Sequence, residues 1–201
     1  HPDGTPGESF LYLKVRSLMI ETLRYRKLME DRFPDKRIID FGVIPLFQMT
    51  SDATHESIIA ELERMRNDPA YKNLSEQLNN AHITHEYIAK QPLIAAFTPY
   101  EPGKTLEVFL ESGGTPHTPL PLPGGHGQNF MVLEQVYRSL YREGKRFAFL
   151  GNIDNLGSTV HPIHLSLTAL KRAQSSFEFS FKTAVDVKGG VLVRNTEGNL
   201  D

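Results

Sequence analysis

The sequence predicts an α/β fold in which a mostly parallel sheet is covered by helices on both faces. Two features of the pattern predict it. Amphipathic helical stretches recur between short apolar stretches, and the short stretches lack the in–out alternation of a half-exposed antiparallel sheet. The third observation is size: 201 residues, 39% apolar and 23% charged, are enough for a core that needs no covalent staples.

The elements follow in order. After a Gly/Pro-rich lead, residues 10–32 carry Leu11, Val15, Leu18, Thr22, Tyr25 and Met29 at helical spacing, with Ser9 placed to cap the helix. IIDFGVIPLFQM (38–49) is apolar and β-branched, a buried strand interrupted or entered at Pro45. DATHESIIAELERMR (52–66) reads as a helix capped by Asp52 or Thr54, with Ile58, Ile59, Leu62 and Met65 on one face. A polar helical piece follows at 68–80. PLIAAF (92–97) and LEVFL (106–110) read as strands joined by the turn TPYEPGK.

Residues 112–127, SGGTPHTPLPLPGGHG, hold five Gly, four Pro and two His, which excludes both a helix and a central strand. Composition favours a surface linker between two lobes. The stretch also opens onto a helix, QNFMVLEQVYRSLYREG (128–144), so its backbone N–H groups could face an anion. That helix carries Val132, Leu133, Val136, Tyr137, Leu140 and Tyr141 on one side and ends at Gly144. Next come a strand at 145–152, the turn IDNLG, a helix at 161–173, and strands at 177–185 and 191–194.

Composition also excludes. A net charge of −2 lends no support to a nucleic-acid or anionic-membrane partner. Without cysteine there is no disulfide, no thiolate catalysis and no cysteine-held metal. No apolar run reaches the roughly 20 residues a membrane helix needs, and no signal-peptide pattern opens the chain, so a cytoplasmic setting is expected. The chain begins at His1 and stops in VLVRNTEGNLD just after a strand-like stretch, which reads as part of a longer protein.

Three stretches carry chemistry. In FAFLGNIDNLGSTV (147–160) an apolar run ends in Asn152, Asp154 and Asn155, at the strand end where α/β sheets bind ligands. Asp154 fits a turn residue as well as a Mg²⁺ carboxylate, and Asn152 and Asn155 could bond sugar hydroxyls or fix the loop. KTAVDVKGG (182–190) sets Lys182 and Lys188 around Asp186, either a solvated connection or an ammonium aimed at phosphate. His161 and His164, with His117 and His126, lack HExxH spacing, and Pro162 marks a helix start rather than a zinc site. GxSxG, Walker and GxGxxG patterns are absent from the sequence.

Taken in order, GGHG (124–127), NIDNLGSTV (152–160) and KTAVDVKGG (182–190) resemble the UTP–glucose-1-phosphate uridylyltransferases, the UDP-glucose pyrophosphorylases of eukaryotic type. That family carries PPGHGD-, SNIDNLGATVD- and KTxADVKGGTL-like segments, and PLFQMTSDATHESI (45–58) is similar to its PLxLMNSFxTxxDT segment. The resemblance implies a three-layer, Rossmann-like nucleotide-diphospho-sugar transferase sheet, here incomplete. Residues 1–201 would be the central part of one catalytic domain, without the N-terminal Gly-rich triphosphate loop or the C-terminal β-helix domain, and inactive alone.

The implied reaction joins UTP and glucose 1-phosphate into UDP-glucose and pyrophosphate, by direct Mg²⁺-dependent displacement at the α-phosphate. Gly125 and His126 would contact the uridine nucleotide and Met49 would pack near the uracil. Asn152 would bond the sugar side, Asp154 would hold the metal or ribose, and Lys182 would neutralise phosphate charge. Two family carboxylates are replaced, by Gln128 after GHG and by His161 after NLGSTV. Related UDP-sugar or UDP-N-acetylglucosamine pyrophosphorylases, or a non-catalytic nucleotide-sugar-binding module, are the alternatives. Strand edges without neighbours would favour association, so a homo-oligomer joins the expected partners.

Overall fold

The computed structural model describes residues 4, 6–34, 45–78, 84–179, 181, 183, 194 and 196–197. The chain divides into two compact units, residues 1–160 and 161–201.

In the first unit, helix α1 (Phe10–Arg32) begins where expected: the Ser9 hydroxyl accepts the Tyr12 N–H at 3.1 Å. Its buried face is Leu11, Tyr12, Val15 and Met19, Leu23 packs on the same core, and Leu28 and Met29 are exposed, so the stripe goes unused only in the last turns. Strand β1 (Pro45–Thr50) leads to α2 (His55–Asn67) and α3 (Pro69–Gln77), and strand β2 (Thr84–Lys90) returns parallel to β1. Thr54 precedes α2 without a side-chain capping bond; its hydroxyl accepts the Ser51 N–H instead. Asp68 caps α3, accepting the Tyr71 N–H at 2.9 Å, and its same oxygen accepts the Tyr12 hydroxyl at 2.8 Å, which ties α3 to α1.

The three helices share one core. Leu11, Val15, Met19, Leu62, Met65, Tyr71 and Leu78 are buried together, and Leu46 of β1 and Ile88 of β2 pack on them. Strand side chains alternate, so Phe47 and Met49 face the other way. There Phe47 meets Tyr137 edge-on, with ring centroids 5.1 Å apart. Helices and strands thus pack in a mixed α/β arrangement, with the helical core on one face of the parallel pair and Tyr137 against Phe47 on the other.

Glu61 and Asp68 make this packing pH-sensitive. The Arg64 guanidinium holds the Glu61 carboxyl below its ordinary range, and the Tyr71 N–H and Tyr12 hydroxyl do the same for Asp68. Both groups bind protons more weakly folded than unfolded. They therefore stabilise the fold above about pH 4, the unfolded carboxylate range. That contribution is lost as pH falls through the lowered folded values. The melting temperature should fall between pH 6 and pH 3, and less steeply in the Glu61→Gln/Asp68→Asn double variant. Equal slopes would contradict the assignment.

The rest of the sheet departs from expectation. Among the described residues there are two two-stranded sheets, and the second is antiparallel: β3 (Leu93–Ala95) with β4 (Pro121–Pro123). The Pro-rich stretch that supplies β4 lies within the first unit, so it does not separate the two units. Residues 106–110 contribute a single bridge, Val108 to Phe97, rather than a strand. Residues 145–152 are not a strand, and Phe147, Phe149 and Leu150 are exposed. A strand exists only where a neighbouring strand takes its N–H and C=O groups, and none among the described residues lies alongside here.

The helix expected at 128–144 is two, α4 (Gln128–Val132) and α5 (Glu134–Arg142), broken at Leu133 (φ −108, ψ 13). Leu133 and Leu140 are nevertheless buried, and Gly144 ends the pair at φ 94. In the second unit α6 (Pro162–Leu170) forms as expected, but Ile163, Leu165, Leu167 and Leu170 on it are exposed. Residues 177–179 belong to no strand. Most of 180–201 lies outside the described residues, including 180, 182, 184 and 185 of the first expected strand and 191–193 of the second.

Candidate functional site at the carboxyl edge of the parallel strands

The carboxyl ends of β1 and β2 are bonded into their surroundings. Met49 is the second-last residue of β1 and half-buried on the face shared with Phe47. Thr50, which follows, is buried; its hydroxyl pairs with His55 Nδ1 at 2.8 Å and its carbonyl accepts the Gln91 N–H at 2.8 Å. Gln91 is itself buried, and its side-chain amide donates to Gln128 Oε1 at 3.2 Å. The same oxygen accepts the Gly124 N–H at 3.2 Å. Three separate pieces of chain, residues 50–55, 91 and 124–128, meet at one edge.

The GGHG turn is shaped by its glycines. A Cβ on Gly124 would come within 2.3 Å of the Gln128 amide nitrogen, so glycine lets that side chain lie against the backbone. Gly125 has φ +90, a left-handed conformation that other residues resist. Gly125, His126 and Gly127 are exposed. The expectation of an anion at the following helix end is corrected. α4 has only five residues, and the N–H groups of Gln128, Asn129 and Phe130 already donate to the carbonyls of Gly125, His126 and Gly127 at 3.2, 3.0 and 3.3 Å.

Asn152 and Asp154 sit on a separate loop, held from α1. Lys14 donates its ammonium to the carbonyl oxygens of Asn155 and Ser158, and burial lowers its pKa. Ile153 packs on the helical core. The Asn155 side chain accepts the Ser158 N–H at 3.2 Å, so of its two expected roles it fixes the loop. Between these anchors the Asp154 side chain is exposed and has no hydrogen-bond partner among the described residues. Lys14→Ala should free this turn, seen as faster amide exchange at Leu156 and Ser158 with α1 still helical. Unchanged exchange would show that Asn155 and Ile153 hold it without Lys14.

Met49 and the GGHG turn therefore share one edge, whereas Asn152 and Asp154 belong to the loop braced by Lys14. No hydrogen bond joins the two groups among the described residues. Lys182, with Asp186 and Lys188, lies outside them. His161 caps α6, accepting the Ile163 N–H at 3.3 Å, and His164 pairs with Glu178. No group of three or more His, Asp or Glu suited to a metal occurs among the described residues. Sequence reasoning missed Gln91 and Lys14. The only hint of Gln91 is a polar residue between a strand end and Pro92, and Lys14 is indistinguishable in sequence from any lysine on a helix.

Helices packed on a parallel strand pair make this a mixed α/β protein, a class in which ligands commonly bind at the carboxyl ends of parallel strands. Comparison with known proteins narrows it. Residues 108–201 match the family model described as UTP–glucose-1-phosphate uridylyltransferase, a span that contains GGHG, NIDNLGSTV and KTAVDVKGG. Over 74 residues the chain is 36% identical to UTP–glucose-1-phosphate uridylyltransferase 2 of Dictyostelium discoideum, covering 36% of this chain and 15% of that one. A probable UTP–glucose-1-phosphate uridylyltransferase of Schizosaccharomyces pombe is 38% identical over 80 residues, 39% of this chain and 16% of its own. The Solanum tuberosum enzyme is 37% identical over 73 residues, 35% and 15% of the two chains. The resemblance read from the motifs is borne out, and the matched stretch spans about 15% of the length of these relatives. No solved structure matches.

Proposed function

We propose that the chain carries the uridine-nucleotide side of a Mg²⁺-dependent uridylyltransferase making UDP-glucose and pyrophosphate from UTP and glucose 1-phosphate. One observation carries this reading. The first of three motifs matched in order is bonded, through Gln128 and Gln91, to the carboxyl edge of a parallel strand pair. On this reading the chain is the central part of one catalytic domain with a Rossmann-like sheet, of which β1–α2–α3–β2 is one unit. A cytoplasmic setting suits such substrates, and among the described residues no helix is long and apolar enough to cross a membrane.

Met49, Gly125 and His126 then line the nucleotide side, and Asn152 faces the sugar. Lys182 meets the phosphates, where an ammonium–phosphate contact is charge-assisted. Asp154 fits a Mg²⁺ ligand: a single exposed carboxylate with no competing hydrogen bond suits an ion that keeps its waters and takes its other oxygens from substrate phosphates. When bound, the ion supplies charge neutralisation at the α-phosphate. A phosphate oxygen of glucose 1-phosphate attacks the α-phosphorus, the bond to the β-phosphate oxygen breaks, and pyrophosphate leaves. The chain's task is positioning and charge balance rather than covalent chemistry.

The test is pyrophosphate release by the product of the complete reading frame. UTP with glucose 1-phosphate should give release that EDTA abolishes and Mg²⁺ restores. Equal release with N-acetylglucosamine 1-phosphate would favour the related UDP-sugar enzymes. UDP-glucose binding without any release would favour a non-catalytic module.

A further inference from the structure

We infer that Gln128 is a positioning residue, a side-chain clamp that locks the GGHG turn onto Gln91 at the carboxyl edge of the parallel strands. The inference rests on the proposed nucleotide function and deepens it, because the clamped turn is the one that would receive the uridine nucleotide.

One oxygen is the centre of the clamp. Gln128 Oε1 accepts two bonds, from the Gly124 N–H and from the Gln91 side-chain amide, each at 3.2 Å. Gln91 cannot swing away, because it is buried and its backbone N–H is bonded to the Thr50 carbonyl. The other end of the Gln128 amide lies so close over Gly124 that a Cβ there would fall within 2.3 Å of it. Gln128 is therefore wedged between the turn and the strand edge. Its N–H fixes the far side of the turn by donating to the Gly125 carbonyl. Residues 125–127, by contrast, are exposed, and Gly125 has the left-handed backbone of a sharp turn. An exposed glycine turn samples many conformations unless something fixes it, and each lost conformation costs binding free energy.

Three variants test this. Gln128→Leu keeps the bulk over Gly124 and removes the acceptor. Gln128→Glu keeps the acceptor and adds a charge. Gln91→Leu removes the second donor from the far side. The readouts are amide exchange at Gly124, the melting temperature, and UDP-glucose affinity by calorimetry on the full chain. Gln128→Leu should expose the Gly124 amide to exchange and weaken UDP-glucose binding about tenfold with little change in melting temperature. Gln91→Leu should weaken binding in the same direction. Gln128→Glu, which retains the acceptor, should keep the Gly124 amide protected and UDP-glucose affinity within a few-fold of the unsubstituted chain.

Unchanged Gly124 exchange in Gln128→Leu would overturn the clamp, and so would unchanged affinity in a chain that binds UDP-glucose. If Gln128→Leu does not fold, Gln91→Leu decides by the same two readouts. Failure of the unsubstituted chain to bind UDP-glucose would overturn the nucleotide reading and this role with it, a result distinct from a clamp that fails in a binding chain.

Discussion

Met65→Ala should destabilise the helical core by about 2–5 kcal/mol, measured by urea unfolding. Met65 has no exposed surface, and it sits in α2 where the three helices converge with Leu46 and Ile88. Truncation removes its transfer free energy and leaves a cavity that helices fixed by the Asp68–Tyr12 and Asp68–Tyr71 bonds cannot easily close. A loss of that size is a large share of the roughly 5–15 kcal/mol that holds a typical domain together. Leu170→Ala is the control, since Leu170 is 80% exposed and its truncation should cost little. If the two variants lost equal stability, the core would not lie where the structure puts it.

Asp154→Ala should lower pyrophosphate release by about a hundredfold or more, the usual cost of removing one charge-stabilising group from a transition state. The melting temperature should stay close to that of the parent protein. The loop that carries Asp154 is held by Lys14, Asn155 and Ile153, none of which bonds the carboxylate. The separation of the two effects is what makes the variant informative. Retained turnover would remove Asp154 from the reaction, and a collapsed melting temperature would make it a structural residue.

The helices were legible in the sequence because their information is local. Ser9 caps α1, Gly144 closes α5, and the Leu62–Met65 face is spaced as a helix requires. The strands were legible only where they found partners. PLFQMT became β1 because β2 lies beside it, whereas the equally apolar run ending at Gly151 has no neighbouring strand among the described residues and stays exposed. Apolar patterning reports a tendency to be buried; pairing is decided by what lies across the ladder.

The same distinction governs the site. GGHG and NIDNLG could be read as functional stretches because their residue types are unusual for ordinary turns. Gln91 and Gln128 could not be joined on sequence, since 37 residues separate them and neither belongs to a recognisable pattern with the other. Nor could the break at Leu133, which limits α4 to five residues and removes the helix-end anion site that the Gly-rich opening suggested.

Calorimetric titration with UDP-glucose and with ADP-glucose in the presence of Mg²⁺ decides whether this chain recognises a uridine nucleotide sugar, as proposed. UDP-glucose should bind saturably and one-to-one, and ADP-glucose at least tenfold more weakly, a discrimination of about 1.4 kcal/mol set by the base alone. Equal affinity for the two, or no binding of either, would contradict it.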